Sequence, residues 1–515
     1  MVANQARQLA VDLITSDFGD LVAKVCKCLL KKGALPLARL AMETELPREQ
    51  LKKCLLVLIQ HNCVQAFQTK KEVGGRVMST TEYTALLDDI IHRLRFPKFL
   101  ILIRDQFDEQ CECLLGILLS HGRSTFEQLM QRLFENQPEV SGDITDQMRT
   151  RFAKLVQARY VERCPASEPQ LVLDSEEGTI TKKKLKEIVT DEERAVMAAA
   201  PLEAERFSFP TYSDNDASTE SEIMADQSIL VGEKRKRGVM EMDDDSIVLA
   251  CEKDVLWRAN FEEFVCSLRH KACIANVRPR LDIGAAVVLE AILKETRAKE
   301  KQNKAEYSAP FSMNSIVQAL LGSPHGHLEH VRAALNQLGA SCTGATEGSY
   351  RISLKKIIEA AQNSEMESIV LKRYGSEGCR IFRLLADKNG MIEQKQIPNL
   401  ALIETKKAFE LLYKLMKDDY LQMEEVASAQ GKLFLWRVNR SSLQEKILND
   451  MYHAASNLCQ RLAHETTEEH ELQLLKKNRI TELQEKKVDR IRKVKPILEA
   501  SILRLDDSIM LFHNF

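Results

Sequence analysis

The chain has almost no net charge, no long apolar run and none of the short motifs that mark catalytic sites. Its 73 lysines and arginines against 75 aspartates and glutamates leave a formal charge of -2 over 515 residues. That balance excludes global attraction to nucleic acid, so any such contact must come from local patches. No apolar stretch reaches the ~18 residues of a membrane span, and the N-terminus lacks a signal-peptide profile. A membrane partner is therefore not expected. No Walker loop, HExxH or nucleophile elbow appears. Catalytic residues, a cofactor and a small-molecule substrate are likewise not expected.

Metal-binding spacing is also missing. Cys26/Cys28 and Cys111/Cys113 look like pairs, but i and i+2 on a helix point ~200° apart and cannot share an ion. With no secretory route, the thirteen cysteines read as reduced thiols on apolar helix faces. His325, His327 and His330 with Glu329 sit near a helix start without a cysteine pair or fourth ligand, which reads as a turn and cap. Asp243-Asp244-Asp245 lies in acidic sequence without a glycine-punctuated frame, and reads as solvated charge. No metal site is expected.

What is present is a pattern. At this length three to five domains are expected. From Leu21 to Thr81 an apolar helix (Leu21, Val22, Val25, Leu29, Leu30) stops at Lys31-Lys32-Gly33, and a short helix follows over Leu37 to Met42. Pro47 suits the start of a third helix, since its missing N–H would have no intrahelical partner there. Leu51, Cys54, Leu55, Leu58 and Ile59 give that helix one buried face. Val64, Ala66 and Gln68 then set a period of two, and Gly74-Gly75 turns into a second alternating run, Arg76 to Thr81. Three helices and a two-stranded hairpin make a winged helix-turn-helix.

The pattern returns three times. The fold class expected is mainly α with small β wings: four tandem winged-helix domains plus a C-terminal antiparallel coiled coil. The boundaries read as 1–84, 85–173, 247–355 and 356–440 for the four modules and 441–515 for the coiled-coil hairpin. Between them, 174–246 is poor in apolar residues and rich in acidic and Ser/Thr clusters, which reads as a disordered linker. An amphipathic helix through Trp257, Phe261, Phe264 and Leu268 follows it. In the last segment the seam Leu443, Ile447, Met451, Ala454, Leu458 is expected to break at His464-Glu465-Thr466-Thr467, and a second seam runs from Ile491 to Ile509. Pro496 should kink or restart that arm.

Several stretches carry a resemblance. Leu56-Val57-Leu58-Ile59-Gln60-His61-Asn62-Cys63-Val64, Arg95-Phe96-Pro97-Lys98 and Tyr160-Val161-Glu162-Arg163-Cys164-Pro165 are similar to the third-largest subunit of RNA polymerase III. So are Ser308-Ala309-Pro310-Phe311, Arg380-Ile381-Phe382-Arg383-Leu384, Glu393-Gln394-Lys395-Gln396-Ile397 and Leu411-Leu412-Tyr413-Lys414-Leu415. The likeness covers all four repeats, in order. It implies tandem winged helices related to the large subunit of transcription factor IIE, and a C-terminal coiled coil. It also implies a non-catalytic, nuclear subunit in a heterotrimer with two smaller polymerase III subunits. That trimer would sit on the clamp of the largest subunit and act in promoter opening and transcription initiation of small untranslated RNA genes.

Candidate nucleic-acid contacts are the outward basic residues Lys52, Lys53, Arg149, Arg151 and Lys154 on third helices, and Lys70, Lys71 and Arg76 on the first wing. Phosphate contacts by such residues would hold single- or double-stranded DNA largely without regard to sequence. A solvated helix face is the plainer reading of any one of them. The third module's Glu329, His330 and Asn336 point to a protein partner, and the fourth module's Lys406 and Lys407 are offset by Glu404 and Glu410. Lys234, Arg235, Lys236 and Arg237 form a candidate nuclear-import run. Two other classes fit less well. One is a winged-helix scaffold of a proteasome-lid or ubiquitin-ligase type of complex, which predicts a long helical superhelix before one terminal wing. The other is a free DNA-binding regulator, against which the neutral charge argues.

Overall fold

The computed structural model describes residues 2–73, 76–134, 142–166, 255–300, 305–322, 324, 326–342, 348–387, 391–428, 431–475 and 482–515, with short pieces between 169 and 209. The acidic clusters, the Asp243-Asp244-Asp245 run, His325 and Lys234 to Arg237 lie outside the described residues. Two compact units divide the chain: one of residues 1–23, 93–95 and 262–515, the other of residues 24–92 and 96–261.

The chain opens with α1 (Val2–Phe18), which belongs to the first unit. The second unit begins within α2 (Asp20–Lys32) and continues with β1 (Leu35–Pro36), α3 (Leu37–Thr44) and α4 (Arg48–Gln60). The hairpin β2 (Val64–Val73) and β3 (Arg76–Ala85) completes the group, with β1 paired antiparallel to β3 through Leu35 and Tyr83. Leu51, Cys54, Leu55 and Leu58 are buried on α4, as their spacing requires. The strict alternation expected from Val64 fails, because every residue from Val64 to Phe67 is buried. The reason is a second cover: the Gln65 amide donates to the Ala166 carbonyl at 3.2 Å, so the strand start is enclosed on both faces.

Next come α5 (Leu87–His92), α6 (Phe96–Gln106), α7 (Glu109–His121), α8 (Phe126–Leu133) and α9 (Gly142–Gln157). Asp108 caps α7 by accepting from the Cys111 amide at 2.7 Å. Thr125 and Gln128 form a reciprocal capping box on α8. Strand β4 (Val161–Arg163) follows, then β5 (Gln170–Leu171), which lies parallel to β2, and the single turn α10 (Glu203–Arg206). The partner of β4 is β6 (Trp257–Ala259), antiparallel with Val161 opposite Ala259. Trp257 is thus in a strand, not in the amphipathic helix expected there. Its ring is buried in an aromatic cluster, 5.5 Å from Phe152 and 5.6 Å from Phe209. Phe209 and Arg206, read as linker from composition, pack here as well, Arg206 by an ion pair to the buried Glu162.

The first unit resumes with α11 (Phe261–Arg280) and α12 (Ile283–Thr296), capped by Asp282. Strand β7 (Phe311–Ser312), α13 (Met313–Ala319), α14 (Leu328–Gln337), β8 (Ser341–Cys342) and β9 (Ser349–Arg351) follow, the strands ordered β7-β9-β8. Their core holds Leu289, Ile316, Val331, Leu335 and Ile352, with the C-terminal Leu511 and Phe515 packed against it. Leu328 is 47 % exposed, because Val331, Ala334 and Leu335 supply the packing surface of α14.

Helix α15 (Leu354–Asp387) turns at Gly375, whose φ of 74° and ψ of -175° suit a residue without Cβ. A further group comprises β10 (Ile392–Glu393), α16 (Ile397–Ala401), α17 (Thr405–Lys417), β11 (Gln422–Ser428) and β12 (Gly431–Arg437). Its three strands are ordered β10-β12-β11 around the fully buried Trp436.

Two long helices close the chain, α18 (Arg440–Leu475) and α19 (Glu482–His513). They run antiparallel, Tyr452 meeting His513 while Glu465 meets Arg490. The break expected at His464 to Thr467 does not occur. Thr466 and Thr467 return their hydroxyls to the Leu462 and Ala463 carbonyls at 2.8 and 3.0 Å. Glu465 is fully buried but ion-paired to Arg461 and Arg490, which removes the cost of an unpaired charge. Pro496 lies inside α19. Helix α1 packs along α18, with Asp12 accepting from Ser456 and, at 3.1 Å, from Gln460.

Candidate nucleic-acid interface

The interface expected from the outward basic residues divides into three classes. On α4 the burial of Leu51, Cys54, Leu55 and Leu58 forces Lys52 and Lys53 to the solvent side, and both are exposed. Lys52 makes a 3.0 Å ion pair with Glu49 one turn earlier. Such an exposed pair contributes little and yields readily to a competing phosphate. Leu56 on the same face is 67 % exposed, so this surface is mixed rather than purely basic.

On α9 the burial of Met148, Phe152, Leu155 and Val156 orients three basic residues differently. Lys154 is exposed. Arg149 lies with its guanidinium 5.3 Å from the Phe126 ring centre and 6.0 Å from that of Phe209, a cation–π arrangement that covers the aromatic cluster. Arg151 donates to Asp108 at 3.0 Å and to the Gln147 carbonyl at 3.3 Å. These two arginines are part of the packing of their module.

Asp108 gathers several of these bonds. Burial opposes its ionisation, but hydrogen bonds from Cys111 and the Arg151 guanidinium outweigh that and hold the carboxyl below the usual aspartate range. Burial, followed by the nearby Asp108, pushes the Cys111 thiol up to about 12. In Cys111/Cys113 the first thiol is buried and the second exposed, as opposite helix faces require.

The third class is the first wing. Lys70 lies opposite Ser79, Lys71 opposite Met78, and Arg76 opposite Val73 in the hairpin register. Their side chains lie outside the described residues.

The basic residues of the last wing group are largely neutralised. Lys407 pairs with Glu377 at 2.7 Å, not with the sequence-adjacent acids, while Lys414 pairs with Glu410 at 2.7 Å. Lys432 and Arg437 on the hairpin pair with Glu425 and Glu424. His327 stands at the N-cap of α14 without a side-chain cap bond, and His330 lies a turn into that helix.

One arrangement has no local sequence signal. The Gln60 side chain donates to the His121 carbonyl at 3.0 Å and to the Arg123 carbonyl, while the Arg123 amide donates to the Gln60 carbonyl at 2.9 Å. Arg123 Nε also reaches Asn62 Oδ1 at 2.9 Å. The end of α4 is thereby fixed to the turn after α7, so the basic faces of α4 and α9 stand on one joined framework within the second unit.

Three family models match the chain in order. They are the RNA polymerase III subunit RPC82 helix-turn-helix domain over residues 8–69, RNA polymerase III subunit RPC82 over 150–327, and the POLR3C C-terminal winged-helix domain over 366–438. DNA-directed RNA polymerase III subunit RPC3 of Danio rerio is 26% identical over 488 residues, covering 91% of this chain and 86% of that protein. The Homo sapiens protein of the same name is 25% identical, covering 88% and 83%. The Dictyostelium discoideum one is 23% identical over 668 residues, covering 99% and 100%. Over most of its length the chain is similar to the RPC3/RPC82 family of RNA polymerase III subunits. The matched stretch opens on a helix-turn-helix domain and closes on a winged-helix domain, in keeping with a mainly helical fold with small antiparallel sheets.

Proposed function

We propose that this chain is an accessory, non-catalytic subunit of RNA polymerase III that works as a row of winged helices gripping neighbours and DNA phosphates. The single observation that carries the reading is that three models of one polymerase subunit family match in chain order, with relatives of that name aligned over most of both chains. Within 1–84, 247–355 and 356–440, helices precede a short antiparallel strand pair, and in 85–173 they precede β4, whose antiparallel partner β6 comes from 257–259; this supports tandem winged-helix modules at 1–84, 85–173, 247–355 and 356–440. The antiparallel helices α18 and α19 support a coiled-coil hairpin.

The finer role follows from that family. The subunit would act in the nucleus with two smaller polymerase III subunits, on the clamp of the largest, in promoter opening and initiation at small untranslated RNA genes. Lys52, Lys53 and Lys154 would hold upstream or melted DNA through phosphates, largely independently of sequence. Affinity purification of the tagged chain from nuclear extract tests the assignment. Polymerase III subunits should be recovered in equal stoichiometry, and recovery of none overturns it.

A further inference from the structure

Three donor atoms from two chain segments converge inside the first unit. Cys266 and His270 stand at i and i+4 on α11, one turn apart on the same face. Glu300 comes from beyond α12, after the tight turn Arg297–Lys299. His270 Nε2 lies 3.2 Å from Glu300 Oε2, and Cys266 Sγ lies 3.8 Å from each of those two atoms. Around a tetrahedral zinc ion with bonds of about 2.0–2.3 Å, such donor pairs stand about 3.3–3.6 Å apart. Shifts of a few tenths of an ångström, roughly, would therefore bring all three into coordination.

Two further observations support a ligand here. The site is enclosed: Cys266 is 1 % exposed, and the His270 and Glu300 side chains are 10 % and 4 % exposed. Within it, the second carboxylate oxygen of Glu300 is buried with no hydrogen-bond partner, a costly state that an ion or its bound water would relieve.

We propose that Cys266, His270 and Glu300 form a zinc-binding site, with water in the fourth position. A thiolate, an imidazole and a carboxylate together suit zinc and disfavour the all-oxygen cations calcium and magnesium. Binding forms a zinc–sulfur bond and displaces the thiol proton to water. The Arg297 guanidinium stands beside the same donor atoms. Its Nη1 lies 2.7 Å from Cys266 Sγ and 3.3 Å from Glu300 Oε2. Glu263 grips the other face of the guanidinium, accepting from Nε at 2.7 Å and from Nη2. Arg297 can therefore release Cys266 and stay paired. The ion would clamp the segment following α12 onto α11, a structural role.

Cobalt is the probe, because cobalt–thiolate bonds give a near-ultraviolet charge-transfer band. The purified full-length chain, stripped with chelator, should take up one cobalt with that band and tetrahedral visible absorption, and zinc should displace it. Cys266→Ser should abolish the band, and His270→Gln should weaken binding by more than about tenfold. Cys113→Ser, at an exposed thiol elsewhere, should change nothing. Arg297→Gln removes the competing cation and should tighten binding, which a merely misfolded site could not do. Absence of the band in the wild-type chain, or its survival in a folded Cys266→Ser chain, overturns the site. The cluster is then a closed ion network with Arg297 as its cation.

Discussion

Arg95 and Asp506 stand 411 residues apart in sequence and meet in a 2.9 Å ion pair whose side chains are 1 % and 0 % exposed. Arg95 belongs to the Arg93–Arg95 turn and Asp506 to α19, so the pair ties that turn to the C-terminal helix. Removing one partner of such a buried pair costs about 3–5 kcal/mol, because the charge left behind loses its opposite. Arg95→Met should therefore lower the stability of the first unit by that amount. Arg95→Met with Asp506→Leu should recover much of the loss. Urea unfolding followed by Trp436 fluorescence in a Trp257→Phe background reads this unit alone, since the chain has 2 tryptophans. A double variant as unstable as the single one would show that the pair acts through packing.

Gly122 is constrained twice over. Its φ of 73° is rare for a residue with a side chain, and a Cβ there would lie 2.1 Å from the Gln60 carbonyl oxygen. Gly122→Ala should cost about 3 kcal/mol or more, from strain and forced separation together. Trp257 fluorescence in a Trp436→Phe background follows the second unit. An unchanged urea midpoint would mean that the junction between Gln60 and Arg123 is not held as described.

Asp108 gives the second unit a defined response to acid. Its carboxyl titrates below the ordinary aspartate value of 3.8. The contribution is thus complete above that value and is lost as the pH falls through the depressed one. Asp108→Ala should cost about 1 kcal/mol at neutral pH through loss of the cap. Asp108→Asn keeps a cap but cannot ionise, so its difference from wild type should vanish on acidification below pH 3.8. Urea midpoints at several pH values measure it. A difference that stays constant down to pH 2, roughly, would refute the role of the charge.

What could be read from the residues alone depended on how local the signal was. Leu51, Cys54, Leu55 and Leu58 disclose a helix and its buried face because they recur at the helical period. Trp257 misleads because a three-residue strand has too few positions to show a period, and its partner Val161 to Arg163 lies far back in the chain. The continuity of α18 through Glu465 depends on Arg490 from another helix. Periodicity places Arg149 and Arg151 away from the apolar stripe, but it cannot show that Phe126, Phe209 and Asp108 cover that side. Cys266, His270 and Glu300 escape notice for the same reason, being two residues on a helix and a third from a separate turn.

That distinction between outward and committed arginines and lysines gives a test of DNA binding. Lys52, Lys53 and Lys154 are exposed, whereas Arg149 and Arg151 are engaged by aromatic rings and by Asp108. If the lysines neutralise phosphates, Lys52→Gln with Lys53→Gln should weaken binding of the intact polymerase to duplex and single-stranded DNA alike. The slope of log affinity against log salt should fall by about 0.9 for each duplex phosphate no longer neutralised, and by about 0.7 for each single-strand one. Lys154→Gln should act the same way through a single phosphate. Arg151→Gln should instead lower the urea midpoint of the second unit, because it removes the ion pair to Asp108, and should leave the salt slope unchanged. A salt titration of binding, run beside the unfolding curves, separates the two effects. A slope that responds to Arg151→Gln and not to the lysines would move the DNA-binding surface from the exposed faces to the α7–α9 cap.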